Sequence, residues 1–285
     1  MANKPLVLAT RRSPLALKQA ELVAERITGK LGRDVVLLPM VTTGDRQSEW
    51  SLEKTGGKGL FTKELELALL DGRADLAVHS AKDMPTDMPA GLDLVAFLPR
   101  ENPADILVVK EGVSVPEKIA SGSPRRRAQA SLIFPHAKWI EFRGNVETRL
   151  QKIAQSGEAE ATLLAAAGLN RLHIDAFDGV TFTCLNFDQM VPAPGQGAIA
   201  IQARAEDKPL FIPINDQETE EAVLIERSVL AAFGGGCQVA LGAHFSKKQG
   251  TLHFFHEACG IRSLKIDMSE QESWLSELIE WTKKK

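Results

Sequence analysis

PLVLATRRSPLALKQAELVAERI, residues 5–27, decides the fold. Its first six residues read as a short buried strand, closed by the charged pair Arg11 and Arg12. Ser13 is a good N-cap, and Pro14 suits the first helical position, where a missing N–H costs nothing. Leu15, Leu22, Val23 and Ile27 then recur near one face of a helix. A strand feeding straight into a capped amphipathic helix is the first half of an α/β unit.

The alternation continues along the chain. DVVLLPMVTTGD (34–45) predicts a second strand, and GGKGLFTKELELALLDG (56–72) a glycine loop opening a helix with Phe61, Leu65, Ala68 and Leu69 inward and Gly72 ending it. ADLAVHSAKDMP (74–85) predicts a strand and a polar loop. SGSPRRRAQASLIF (121–134) then repeats the opening plan, with Ser123 and Pro124 where Ser13 and Pro14 stood. KWIEF (138–142) reads as a strand, and RGNVETRLQKI (143–153) as a helix capped by Asn145 with Val146, Leu150 and Ile153 on one face. EATLLAAAGLNRL (160–172) is another buried strand and turn. Two similar α/β domains with largely parallel sheets follow from this pseudo-repeat. VPAPGQGAIAIQAR (191–204) crosses back into a strand. Beyond residue ~212 a helix (218–233), β-like TLHFFHEACGI (251–261) and a closing helix (272–284) predict a smaller α+β domain.

The 285 residues leave room for two or three domains. A net charge of -3, from 34 basic and 37 acidic residues, exerts no global pull on nucleic acid or anionic membrane. No apolar run approaches the ~20 residues of a membrane span, and no targeting segment is visible. Cys184, Cys237 and Cys259 are widely spaced with no CxxC, which argues against a disulfide framework or a structural zinc site. The expectation is a cytoplasmic protein. Cys184 and Cys259 fall in apolar stretches and read as packing.

Three features carry chemistry. Arg11 and Arg12, the run Arg125, Arg126 and Arg127, and Arg143 with Arg149 all stand at helix starts, where cations oppose the helix dipole unless an anion is present. Singly, each is an ordinary surface arginine; as a set they point to anion binding. HSAKDMP (79–85) sets Lys82 beside Asp83 at a strand end, the edge where open α/β sheets place ligands. A solvated ion pair in a turn is the competing reading, and His79 reads as a satisfied strand-end histidine. FGGGCQVALG (233–242) puts Cys237 behind three glycines, which allow a bulky group to approach the sulfur. No phosphate-loop spacing and no HExxH metal motif is present, and the G-x-G of PGQGA is too weak to use.

ATRRSPLAL, GGKGLFTKELE, DLAVHSAKDMP, GSPRRRAQ, FRGNVETRL, AAAGLNRL, PAPGQGA and GGGCQVALG together resemble the porphobilinogen deaminase (hydroxymethylbilane synthase) family, in its order from residue 9 to 242. The resemblance implies two periplasmic-binding-protein-like α/β domains and a small α+β C-terminal domain: 1–98 with 194–212, 99–193, and 213–285. It implies a dipyrromethane cofactor joined to Cys237 by a thioether, and four condensations of porphobilinogen with loss of ammonia before hydrolysis frees hydroxymethylbilane. Asp83 would protonate the leaving amine and stabilise the cationic azafulvene, with Lys82 beside it. Ser13, Lys58, Lys82, Asp83, Ser123, Arg125 and Arg126 would bind the cofactor. Arg11, Arg143, Arg149, Arg171, Phe61 and Lys54 would serve substrate and growing chain, with Lys54, Lys58 and Phe61 in a mobile loop. Arg125→Ala or Arg126→Ala is then expected to harm cofactor loading more than folding. Departures are the proline and third arginine of GSPRRRAQ, with Arg127 unassigned, and an abbreviated C-terminal domain. Nothing advertises an interface, so a monomer is expected, and no metal is called for.

Two other classes compete. A non-enzymatic two-lobed protein closing on a small anion would explain the repeat and the arginines, but not Lys82-Asp83 together with Cys237. A cysteine-nucleophile transferase would need a histidine partner, and none of the six histidines stands in a recognisable dyad.

Overall fold

The computed structural model describes residues 4–46, 61–142, 144–235 and 239–283. Among the described residues the architecture is mixed α/β, built on three sheets. In the first, β1 (Leu6–Arg11) lies parallel to β2 (Val35–Met40) and β3 (Leu76–Ser80), and β10 (Ile199–Arg204) runs antiparallel between β3 and β4 (Leu92–Phe97). The second repeats that plan. There β6 (Lys118–Ala120) is parallel to β7 (Lys138–Ile140) and β8 (Ala161–Ala165), and β5 (Asp105–Lys110) runs antiparallel between β8 and β9 (Val180–Cys184).

The sequence pattern predicts largely parallel sheets, and each sheet is mixed instead. The cause is an exchange of strands. The chain leaves β4, crosses through residues 98–104 and enters the second sheet as its antiparallel strand β5; after β9 it crosses back and enters the first sheet as β10. Two antiparallel crossings therefore lie side by side between the sheets.

Each large sheet is covered on both faces, because alternate residues of a strand point to opposite sides. Leu8 and Val78 pack with Val23 and Ile27 of α1 (Pro14–Leu31), while Ala9 and Ala77 pack with Leu65 and Leu69 of α2 (Lys63–Leu70). In the second sheet Leu107 and Leu163 meet Ala130 of α3 (Pro124–Ile133), and Val108 and Leu164 meet Leu150 and Ile153 of α4 (Val146–Gln155). The predicted caps are present: Ser13 accepts from Ala16 N at 3.3 Å, Ser123 from Arg126 N at 3.4 Å and Asn145 from Thr148 N at 2.8 Å. Leu15 and Leu22, expected inward, are only half-buried, and Ala16, Gln19 and Ala20 take the buried face. After β8 the chain forms a short helix, α5 (Ala166–Arg171), rather than a turn.

The third sheet is an antiparallel meander of β11 (Leu241–Ser246), β12 (Thr251–His256) and β13 (Gly260–Lys265). It shares one core with α6 (Gln217–Ala232) and α7 (Gln271–Lys283), centred on Val229, Phe254 and Leu278. Cys184 is exposed at the end of edge strand β9, and Cys259 is half-buried in the turn before β13, so neither fills an apolar strand interior as the sequence suggested. Among the described residues no helix is long and apolar enough to cross a membrane.

Glu226 of α6, 0% exposed, ties this third unit to the crossings. It accepts two bonds from Arg100, at 2.7 and 3.0 Å, one from Gly195 N at 2.7 Å and one from Phe245 N at 2.8 Å. Burial raises its carboxyl, but the Arg100 charge and the neighbouring His244 more than offset that and lower it from 4.5 to about 2. A carboxyl whose folded-state value is depressed gives stability that is complete above its unfolded value and lost as pH falls through the folded one. Glu226→Ala is expected to lose about 3–5 kcal/mol, the cost of stranding a buried charge. Urea unfolding at neutral pH measures the loss, and the gap to the parent protein should narrow as pH falls from 4.5 toward about 2.

Candidate active site at the strand crossings

Lys82 and Asp83 sit in a 3₁₀ turn, Ala81–Asp83, at the C-terminal end of β3. The turn is held against the returning crossing: Ala81 N donates to Ala198 O at 3.0 Å, and Lys82 Nζ reaches Gln196 Oε1 at 3.4 Å. Gly195 makes that approach possible. It has φ +73, and a Cβ there would stand 3.0 Å from Ala81 Cβ and 3.1 Å from Lys82 N. The G-x-G of PGQGA thus serves packing at the site. Burial and the neighbouring Arg126 push the half-buried Lys82 ammonium down from 10.5 to about 8, with Asp83 and Asp105 opposing.

Asp83 lines a pocket with Arg11, Gln19, Phe61, His79 and Ser80. Arg11 stacks over the Phe61 ring, 4.3 Å from its centroid, and is ion-paired to Asp45. His79 is the satisfied core residue the sequence suggested. Its Nε2 lies 3.1 Å from Gln202 Oε1, and burial pushes the ring down to about 4, leaving it neutral near pH 7. Ser13 is half-buried at its cap beside this pocket's α1 residues.

The second sheet supplies the cations. Arg125 and Arg126, 4% and 7% exposed, emerge from the first turn of α3 and meet at Asp105, the first residue of β5. Arg125 Nη1 donates to Asp105 Oδ2 at 2.7 Å and to Val191 O at 2.7 Å, and Arg126 Nε donates to Oδ1 at 2.8 Å. Burial raises the Asp105 carboxyl, but the two guanidinium charges more than offset it and hold it well below the usual carboxylate range. One of these two charges at a helix start is therefore answered within the chain. Arg149 from α4 donates to Thr162 Oγ1 and Leu163 O, both at 3.1 Å, and burial with the Arg126 charge pushes it down to about 10. Arg171 stands apart: it donates to Gly197 O at 2.6 Å on the crossing, and burial lowers it to about 10. Ser123 caps α3. Arg127 donates to Ser121 O at 2.6 Å.

Folding thus gathers Lys82 from one sheet with Arg125 and Arg126 from the other around one carboxylate, Asp105, with Arg149 next to Arg126. Gln196, fully buried, bridges the two sides: its Oε1 is 3.4 Å from Lys82 Nζ and 3.5 Å from Arg125 Nη2. Arg125 Nε and Arg149 Nε are buried and find no acceptor among the described residues. Unsatisfied buried guanidinium N–H groups beside surplus positive charge fit a ligand carrying carboxylates. Neither Asp105 nor Gln196 stood out in the sequence. The available signals were a lone acid heading the apolar run DILVV and an amide between two glycines.

Arg143, Lys54, Lys58 and Cys237 lie outside the described residues. The approach to Cys237 is described as far as Gly235. Arg227 of α6 donates to Met84 O and Pro85 O, at 3.3 and 2.6 Å, which anchors the helix to the segment after Asp83. Gly235, at φ +45, then passes so close to Thr86 that a Cβ would lie 2.7 Å from its Oγ1.

Residues 6–211 match the family described as porphobilinogen deaminase, dipyromethane cofactor binding domain. The chain belongs to the porphobilinogen deaminase family. It is 43% identical over 259 residues to the porphobilinogen deaminase of Caulobacter sp. (strain K31), covering 86% of this chain and 80% of that one. To that of Chloroherpeton thalassium it is 40% identical over 261 residues, covering 88% and 82%. The Caulobacter vibrioides protein is 43% identical over 257 residues, covering 84% and 79%. Membership makes this chain an enzyme, a transferase of tetrapyrrole biosynthesis working by condensation and hydrolysis, with a site for a dipyrromethane-type cofactor.

Burial changes what truncation of the arginines does. Arg125→Ala or Arg126→Ala leaves part of the Asp105 carboxylate unpaired away from water, so each is expected to destabilise the fold by about 3–5 kcal/mol. Urea denaturation of the two variants measures this; a loss below about 1 kcal/mol would place the pair in solvent-like surroundings.

Proposed function

We propose that this porphobilinogen deaminase family member joins four porphobilinogen molecules head to tail on a dipyrromethane primer bound through a thioether to Cys237, and then releases hydroxymethylbilane by hydrolysis. The observation that carries the assignment of parts is that Lys82, next to Asp83 in one turn, faces Arg125 and Arg126, with Arg149 next to Arg126 and the Gly235 backbone against Thr86. Gly235 against Thr86, three residues past Asp83, supports a primer rooted near Asp83. When bound, the primer supplies the electron-rich pyrrole carbon that accepts each new unit.

Asp83 is the proton donor to the aminomethyl nitrogen of porphobilinogen, which leaves as ammonia; its carboxylate then faces the cationic carbon left behind and the pyrrole N–H groups. Each new carbon–carbon bond releases the pyrrole α-proton, so one proton given is one proton returned. Lys82, Arg125, Arg126 and Arg149 hold acetate and propionate groups, with Ser13, Lys58, Ser123 and Arg143 completing the carboxylate and cofactor contacts. Arg11 with Phe61 walls the Asp83 pocket, Lys54 serves the entering chain, and Arg171 steadies the crossing over which the chain grows. Every added unit brings two more negative charges, so cations fixed in advance remove a repulsion that would otherwise grow with chain length. At an effective dielectric near ~20 each close pairing is worth several kcal/mol before desolvation.

The exchanged crossings support two hinged lobes of periplasmic-binding-protein type, residues 1–98 with 194–212 and residues 99–193, and a third domain at 213–285. A cytoplasmic monomer acting on a small molecule, without nucleic acid, completes the proposal.

Intact-mass measurement with peptide mapping tests the tether. The purified protein should carry a dipyrromethane adduct on the Cys237 peptide, absent in Cys237→Ser; a bare chain that turns over porphobilinogen would defeat it. The Lys82 ammonium is charged below about 8 and neutral above. KM for porphobilinogen should therefore rise as pH passes about 8, and Lys82→Arg should carry that rise to higher pH.

A further inference from the structure

Asp105 is 0% exposed, and the guanidiniums of Arg125 and Arg126 converge on its carboxylate. Its two oxygens are divided between them: Oδ2 takes Arg125 Nη1 at 2.7 Å, and Oδ1 takes Arg126 Nε at 2.8 Å, with Arg126 Nη2 2.7 Å away as an ion-pair contact. The far sides of both arginines are pinned by backbone carbonyls, Val191 O for Arg125 and Leu163 O for Arg126. Neither fork can turn without breaking a short charge-assisted bond, and Arg125 Nε is left without an acceptor among the described residues. Asp105 touches none of the groups assigned above to substrate chemistry except through these arginines and the field at Lys82.

We propose that Asp105 is a positioning residue of the condensation site: it fixes the orientation of Arg125 and Arg126, the arginine pair that Gln196 joins to Lys82. The inference rests on the reading that this cluster holds pyrrole carboxylates.

Two effects of removing the charge can be separated. Orientation is the larger, because two-point recognition of a carboxylate fails when the guanidinium plane rotates. The second is electrostatic. The charged and polar groups facing Lys82 are Arg126, Asp83, Asp105, Arg125 and Gln196. Removing Asp105 from that set leaves two arginine charges against Asp83 alone, which disfavours the ammonium further.

Asp105→Asn and Asp105→Glu in the full-length holoenzyme test the idea, with steady-state kinetics against pH and intact mass for cofactor content. Asp105→Asn is expected to raise KM for porphobilinogen about tenfold or more, the factor that one lost oriented contact gives, with a smaller change in kcat. The pH at which KM begins to rise should also move below the parent value. Asp105→Glu keeps the charge but displaces it by one methylene, so KM should rise while that pH stays put. Should Asp105→Asn not fold, Asp105→Glu alone decides the positioning role: parental KM there overturns it. A folded, cofactor-loaded Asp105→Asn with parental KM and an unmoved pH limb overturns it as well. If instead the parent protein carries no dipyrromethane, the underlying reading of the site has failed, not the role of Asp105 within it.

Discussion

Glu226 is a carboxylate with no access to water whose oxygens serve three separate parts of the chain. Arg100 belongs to the outgoing crossing, Gly195 to the returning one, and Phe245 to the third sheet. A buried charge must be fully partnered or it destabilises the fold, so the three parts can be placed only together. The active-site geometry depends on this junction. Gly195 is adjacent to Gln196, which bridges Lys82 and Arg125, and α6 carries both Glu226 and the Arg227 anchor at Met84 and Pro85.

Around that junction, charge is distributed unevenly by design of the packing. Asp105 neutralises one of two arginines, leaving Lys82, Arg149 and the balance of the arginine pair as net positive charge in a partly dry region. Desolvation lowers Lys82 and Arg149 alike, which records how costly the cations are without a ligand. The Asp83 pocket, with Arg11 over Phe61, lies next to this region and shares its turn with Lys82. Anion holding and proton donation thus occupy adjacent residues of one short turn.

Much of this was legible beforehand. Ser13-Pro14 and Ser123-Pro124 marked two helix starts, and their repetition announced two similar α/β units, because capping and first-turn proline act locally. Lys82-Asp83 at a strand end was legible for the same reason. Strands β4 and β5 showed only as the apolar runs LDLVAF and DILVVK, β6 and β11 had no periodic pattern, and the α5 helix read as a turn, because a short apolar run does not reveal its partner. The direction of β5 and β10 was also hidden: parallel and antiparallel pairing depend on where the chain returns, which no window of residues contains. Cys184 and Cys259 looked internal by composition, yet an edge strand and a hairpin turn leave them exposed and half-buried.

The sequence by itself determined the alternation of elements, the helix caps, the cationic character of the helix starts and, through its motifs, the family. Those properties reside in side chains and their immediate neighbours. Only the tertiary structure decided that Asp105 answers Arg125 and Arg126, that Gln196 spans two sheets, and that Glu226 joins the third sheet to both crossings. The physical reason is that burial and long-range charge pairing are created by folding: Asp105 and Arg125 are ordinary solvated ions until two sheets exchange strands and exclude the water between them.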